Sequence, residues 1–230
     1  MEPSDGSVKE GIPFVLTFNV SQLGSGTCSP LSGAQVDVWH CDALGLYSGV
    51  SDNTFPVSTL GQKFLRGYQV TDGTGLARFT TIYPGWYAGR AVHVHFKIRT
   101  MAPTGDSYEF TSQFFLDDAL TDEVHALQPY AGKGQRDLRN DQDGIYMGGG
   151  DQLLLSPAAS ADGFAAVLPI GLDLSDTSVG APDGGASGPG GPGGPGGPGG
   201  PGGPGGPGGP GRGTPAGAPP PSVPVQLPGR

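Results

Sequence analysis

Phe14-Val15-Leu16-Thr17-Phe18-Asn19-Val20 places an apolar side chain at every even position, with Val15, Thr17 and Asn19 between. Period two predicts a strand with one apolar face, because successive side chains leave an extended backbone on opposite sides. The pattern continues outward. Val36, Val38 and His40 alternate with Gln35, Asp37 and Trp39, and further runs cover Gly67 to Thr71, Leu76 to Ile82, Ala91 to Arg99, Tyr108 to Leu116, Gln152 to Leu155 and Phe164 to Ile170. The turn residues Asp72-Gly73-Thr74-Gly75 predict a hairpin between their flanking strands, and Pro103-Thr104-Gly105-Asp106 marks another reversal. Short strands at this spacing without alternating helices predict an all-β fold, an antiparallel β-sandwich with long loops. Thr121 to Asp143, polar and charged, predicts a short helical turn and a long loop.

The sandwich is assigned to residues 11–175, after a flexible N-terminus at 1–10 and before a Gly/Pro-rich tail at 176–230. From Ala181 to Arg230 the chain has 21 Gly and 15 Pro, so 36 of 50 positions bring no side chain suited to a core. Eight prolines recur at spacing three from Pro189 to Pro210. Glycine also fills the third place of each unit, which favours a spacer with polyproline II bias over a collagen-like triple helix. The tail holds Asp183, Arg212 and Arg230, net +1, so a whole-chain charge of −9 leaves −10 on the rest. An acidic domain without a Lys/Arg cluster argues against nucleic acid and against an anionic membrane as partners. No apolar window is long enough to span a bilayer, and Met1 to Glu10 has no apolar core of an export signal.

Two cysteines, Cys28 and Cys41, flank one strand-like run. Two thiols are too few for a closed structural zinc site, leaving a disulfide or two free thiols. The disulfide is the reading carried forward; it would close a short loop, contribute about 3 kcal/mol and imply an oxidising compartment.

Ligand-capable side chains are densest in Tyr83-Pro84-Gly85-Trp86-Tyr87-Ala88-Gly89-Arg90-Ala91-Val92-His93-Val94-His95-Phe96. On a strand, His93 and His95 share a face while Val92, Val94 and Phe96 take the other, an arrangement suited to a metal. A second tyrosine, Tyr47, lies in the glycine-bounded run Gly45-Leu46-Tyr47-Ser48-Gly49. His40 reads as a core or supporting histidine and His125 as solvent-facing. Asp117-Asp118, Asp122-Glu123 and the Asp141 to Asp143 pair read as acidic surface, since none follows an EF-hand spacing.

In their order, Trp39 with Gly45-Leu46-Tyr47, Arg66-Gly67 with Thr71-Asp72, and Tyr83-Pro84-Gly85-Trp86-Tyr87, Arg90 and His93-Val94-His95-Phe96 resemble the intradiol ring-cleavage dioxygenases of catechol and protocatechuate type. The resemblance runs from Gly11 to about Leu172. It implies a non-haem Fe(III) centre held by Tyr47, Tyr87, His93 and His95, with Tyr87 also catalytic, a positively charged pocket residue at Arg90 and a pocket glutamine at Gln113. It further implies a catechol-type substrate cleaved with O2 between its two hydroxyl-bearing carbons to a cis,cis-muconate. Hard anionic oxygen ligands suit ferric iron, and a bound cation stabilises phenolates that would otherwise stay protonated. With only about ten polar residues before the first strand, the helical dimerisation segment of cytoplasmic members is expected to be missing. Together with the cysteine pair, that resembles a small secreted actinobacterial branch, and implies an extracellular protein whose export signal has been removed. A rival reading is an iron-free β-sandwich binding module for polysaccharide or a cell-wall partner, using Trp39, Trp86 and the tail.

Overall fold

The computed structural model describes residues 8–24, 26–51 and 57–176. The Gly/Pro tail and the first seven residues, on which the spacer and N-terminus readings fall, lie outside the described residues. Two five-stranded sheets pack face to face. The first comprises β1 (Pro13–Leu23), β2 (Cys28–Pro30), β5 (Leu76–Ile82), β9 (Ala158–Ala159) and β10 (Phe164–Leu172), with β1 central. The second has the order β4 (Arg66–Val70), β3 (Gln35–Trp39), β6 (His93–Met101), β7 (Ser107–Leu116) and β8 (Leu154–Leu155).

The period-two reading of β1 holds: Phe14, Leu16, Phe18 and Val20 are fully buried. They meet Val36, Val38, Val94, Phe96, Ile98 and Phe114 of the other sheet in one core. Phe18 sits at its centre, with ring centroids 5.8 Å from Phe79 and 5.3 Å from Phe96. Each such buried side chain contributes about 1.5–3 kcal/mol relative to exposure.

The expected sandwich is therefore present, with two corrections to its wiring. The sheets are mixed, because β10 runs parallel to β1 and β8 parallel to β7. Asp72 to Gly75 is a tight turn, but its flanking strands do not form a hairpin: β4 pairs with β3, and β5 crosses to the other sheet to pair with β1. The turn chemistry was legible; the choice of partner depends on which strand's apolar face needs covering.

The cysteines do not pair. Cys28 is exposed at the edge strand β2, whereas Cys41 is buried beyond the far end of β3. The intervening strand is the reason, since an extended chain rises about 3.3 Å per residue and a disulfide tolerates at most about 7 Å between Cα atoms. With the bond goes the cysteine argument for an oxidising compartment.

The segment after β7 is more ordered than expected. It opens with α1 (Asp118–His125), capped by Asp117, whose side chain accepts from Leu120 N, and passes through short 3-10 turns to α2 (Gly144–Met147). Leu120, Thr121, Val124 and His125 form the buried face of α1. His125 is thus not solvent-facing; its Nε2 donates to the Pro84 carbonyl at 3.0 Å and its ring stacks on Tyr130. Among the described residues no helix is long and apolar enough to cross a membrane.

Candidate metal centre

The site lies on the outer face of the second sheet, opposite the core. Cross-strand register puts Arg66, Trp39, His95 and Gln113 in one row on that face, with His93 beside them. As the alternation requires, Val94 and Phe96 point into the core while His93 and His95 point outward under the loops that precede β4 and β6.

Those two loops deliver the tyrosines. Asp42 organises the first: its Oδ1 accepts from Leu44 N and Leu46 N, and its carbonyl accepts from both Gly45 N at 2.9 Å and Gly85 N at 3.2 Å. The loops approach so closely that a Cβ on Gly45 would strike the Trp86 carbonyl, and one on Gly85 the carbonyls of Asp42 and Ala43. Tyr47 is then held by Thr59, whose hydroxyl donates to the Tyr47 carbonyl at 2.6 Å, while Ser48 beside it is bonded to Arg66 and the Phe64 carbonyl. Tyr87 follows Gly85 on the second loop.

All four residues singled out as ligands come together. The Tyr87 hydroxyl donates to His93 Nε2 at 3.2 Å, His95 Nε2 lies 3.1 Å from His93 Nε2, and the Tyr47 ring packs edge-on to Tyr87 at 5.5 Å. A carbonyl cannot donate, so the 2.6 Å contact of His93 Nδ1 to the Ala91 carbonyl puts the proton on Nδ1 and leaves Nε2 as a lone pair facing the cluster. Burial, then the Arg90 charge, push His93 down to about 4; burial, then His93, hold His95 well below the usual imidazole range. Burial likewise raises Tyr47 well above a free phenol and raises Tyr87, against which Arg90 pulls. Without a cation, the cluster is thus two neutral imidazoles and two protonated phenols at neutral pH.

That donor set fits a metal. Among the described residues no group of three or more His, Cys, Asp or Glu is arranged to hold a metal ion, so a metal here draws on the phenols. Around the cluster several buried polar atoms have no protein partner: Arg90 Nη2, His95 Nδ1 and both amide atoms of Gln113. Buried polar atoms are nearly always paired in folded proteins, so these are groups able to meet a bound ion, water or substrate. Gln113 stands directly opposite His95 on β7. Arg90 is where the spacing places it, three residues before His93, with Nε bonded to Asp143 at 2.8 Å.

Asp143 is the partner that sequence reading missed: taken for surface, it is 1% exposed. Trp39 is also part of the site, its ring flat against His95. Trp86 donates its indole N–H to the Gly134 carbonyl and lies under Lys133, so neither tryptophan is an open stacking platform. His40 is a core histidine as expected, bonded to the Cys41 carbonyl and Thr81.

A sandwich that gathers two phenols and two imidazoles on an outer sheet face carries a donor set suited to a metal ion of mixed oxygen and nitrogen ligation. The family profile described as Dioxygenase matches residues 7–124, and the chain belongs to that family, within its intradiol ring-cleavage group. Chlorocatechol 1,2-dioxygenase of Pseudomonas putida is 34% identical over 125 residues, 46% of this chain and 45% of that protein. Catechol 1,2-dioxygenase of Candida albicans is 34% identical over 87 residues, 37% of this chain and 27% of that protein. The chain therefore spans less than half the length of these relatives. Among solved structures, an intradiol ring-cleavage dioxygenase from Tetranychus urticae superposes with a TM-score of 0.63 at 28% identity, covering 72% of this chain and 83% of that one.

Proposed function

We propose that the protein is a non-haem Fe(III) dioxygenase that opens catechol-type rings with O2 between the two hydroxyl-bearing carbons, giving cis,cis-muconate-type products. The observation that carries this is the convergence of Tyr47, Tyr87, His93 and His95 on one point, with the two Nε2 atoms 3.1 Å apart. Family membership and relatives named as catechol and chlorocatechol 1,2-dioxygenases support it. These four side chains would hold the metal. Once bound, ferric iron would keep both phenols ionised and withdraw electron density from a catechol, exposing its ring to dioxygen.

The chain's own residues supply the rest. Tyr87 is the less buried of the two phenols and, once ionised, can take up a proton from an arriving catechol hydroxyl. Tyr47, 7% exposed and fixed through Thr59 and Ser48, stays in place. Arg90 presents the buried Nη2 to negative charge that develops on the substrate oxygens, acting as a preorganised donor in a water-poor site. Gln113 offers both a donor and an acceptor beside His95. Trp39 walls the same side and keeps His95 from rotating.

Extracellular placement belongs to this proposal on the strength of the resemblance alone. The test is iron stoichiometry together with O2 uptake and ring-opened product from catechol, for the wild type and for His93→Ala. Turnover that needs iron and is lost with His93 supports the reading; a stoichiometrically iron-loaded wild type inert toward catechols counts against it.

A further inference from the structure

Asp143 opens α2 and lies 53 residues from Arg90 in sequence, beyond the 7–124 span of the family match. Both of its oxygens are saturated. Oδ2 accepts from Arg90 Nε at 2.8 Å and from Ala91 N at 2.9 Å; Oδ1 accepts from Ile145 N at 2.8 Å and Tyr146 N at 3.2 Å. A second carboxylate, Asp137, accepts from Gly89 N at 3.2 Å. Residues 89–91, which lead into the strand bearing His93 and His95, are thus fastened to the 137–146 segment. Arg90 has one guanidinium nitrogen tied down while Nη2 is buried without a protein acceptor.

We propose that Asp143 is a positioning residue for ring cleavage: by gripping Arg90 Nε it fixes the plane of the guanidinium and aims Nη2 at the space over Tyr47, Tyr87, His93 and His95. The inference rests on the ring-cleavage reading above. A planar fork held at one nitrogen keeps its direction, whereas a free arginine side chain samples many rotamers. Buried ion pairs contribute little net stabilisation, so the role of Asp143 is one of geometry and not of stability. Burial would raise the Asp143 carboxyl, but the hydrogen bonds from Arg90 and Ala91 outweigh it and keep it below the usual carboxylate range, hence ionised at neutral pH.

The test is a double-mutant cycle on the full chain with Arg90→Ala, Asp143→Asn and both. Asparagine keeps the size but replaces one oxygen with an amide that cannot accept, so whichever way it turns one pair of donors loses its partner. Asp143→Asn is expected to lower kcat for catechol at least 10-fold with iron content retained, and to change kcat less than 2-fold in the Arg90→Ala background. Equal losses in both backgrounds overturn the proposal, as does loss of iron from Asp143→Asn, which would place the effect on His93 through Ala91. A readout without turnover separates this from the ring-cleavage reading: in metal-free 15N-labelled protein, the Arg90 Nε–H signal, assigned by its loss in Arg90→Ala, should exchange far more slowly than that of exposed Arg139. Exchange as fast as that of Arg139 overturns the anchor whether or not the protein cleaves catechol, and this readout needs no Asp143 variant should Asp143→Asn not fold.

Discussion

Trp39 lies flat on His95, with ring centroids 5.2 Å apart and planes 8° from parallel. The two are direct cross-strand partners on β3 and β6. This contact orients His95, because its Nδ1 is buried without a protein partner, whereas the neighbouring His93 is oriented by its bond to the Ala91 carbonyl. One imidazole of the pair is held by a hydrogen bond and the other by stacking.

Trp39→Ala should therefore lower iron affinity by about 10–100-fold, the scale for losing a group that orients a ligand. Trp39→Phe should restore most of it by keeping a flat surface. Competition with a ferric chelator checks both; equal retention of iron by Trp39→Ala and wild type would show that stacking does not hold the ring.

Gly45 has φ +82°, a conformation that side chains disfavour, and no room for a Cβ against the Trp86 carbonyl. Gly45→Ala should destabilise the fold by roughly 1–3 kcal/mol from backbone strain alone, and more from the clash. Urea unfolding measures this. Because the loop carries Tyr47, the variant should also bind iron more weakly at temperatures where it remains folded.

The thiols give an independent check on the wiring. Cys28 is exposed, while Cys41 is 1% exposed, donates to the Gly85 carbonyl and is pushed by burial up to about 12. A thiol reagent added to the native, unreduced protein should react quickly with one cysteine, and with two only after unfolding. No reaction in denaturant without reductant would restore the disulfide.

His40 is buried and neutral, its pKa pushed from 6.5 to about 4 chiefly by burial. In the unfolded chain it protonates near 6.5, so its contribution is complete above that pH and is lost as pH falls from about 6.5 through about 4. The loss amounts to roughly 3 kcal/mol. His40→Gln should be less stable at pH 7.5 yet lose less stability than wild type between pH 7 and 4. Equal pH slopes of the urea midpoint would contradict this.

What the sequence revealed follows from how local each signal is. Alternation in β1 depends only on neighbours, and it reported the buried face correctly. Tyr87, Arg90, His93 and His95 lie within nine residues, and the strand period alone puts the two imidazoles on one face. Tyr47, forty residues away from Tyr87, was legible only through its resemblance to a known family. Asp143 was not legible, since a carboxylate among other acidic residues looks like solvated surface until Arg90 and Ala91 are seen to enclose it. His125 had a missed signal in the helical spacing of Leu120, Thr121, Val124 and His125, whose buried stripe polar neighbours obscured. The Asp72 to Gly75 turn was correctly placed, yet a turn fixes a reversal and not which sheet the chain enters next. The cysteines failed for the same reason that β3 succeeded: an extended strand between them carries them apart.

As proposed above, Tyr47, Tyr87, His93 and His95 hold one ferric ion between them. Visible absorbance of the purified full chain, recorded with its iron stoichiometry, is the decisive measurement. One iron per chain with a tyrosinate-to-iron charge-transfer band, giving a red to burgundy protein, is the result predicted, with the band altered in Tyr87→Phe and shifted by catechol under anaerobic conditions. A stoichiometrically iron-loaded protein without that band, or a band unchanged in both Tyr47→Phe and Tyr87→Phe, would contradict it.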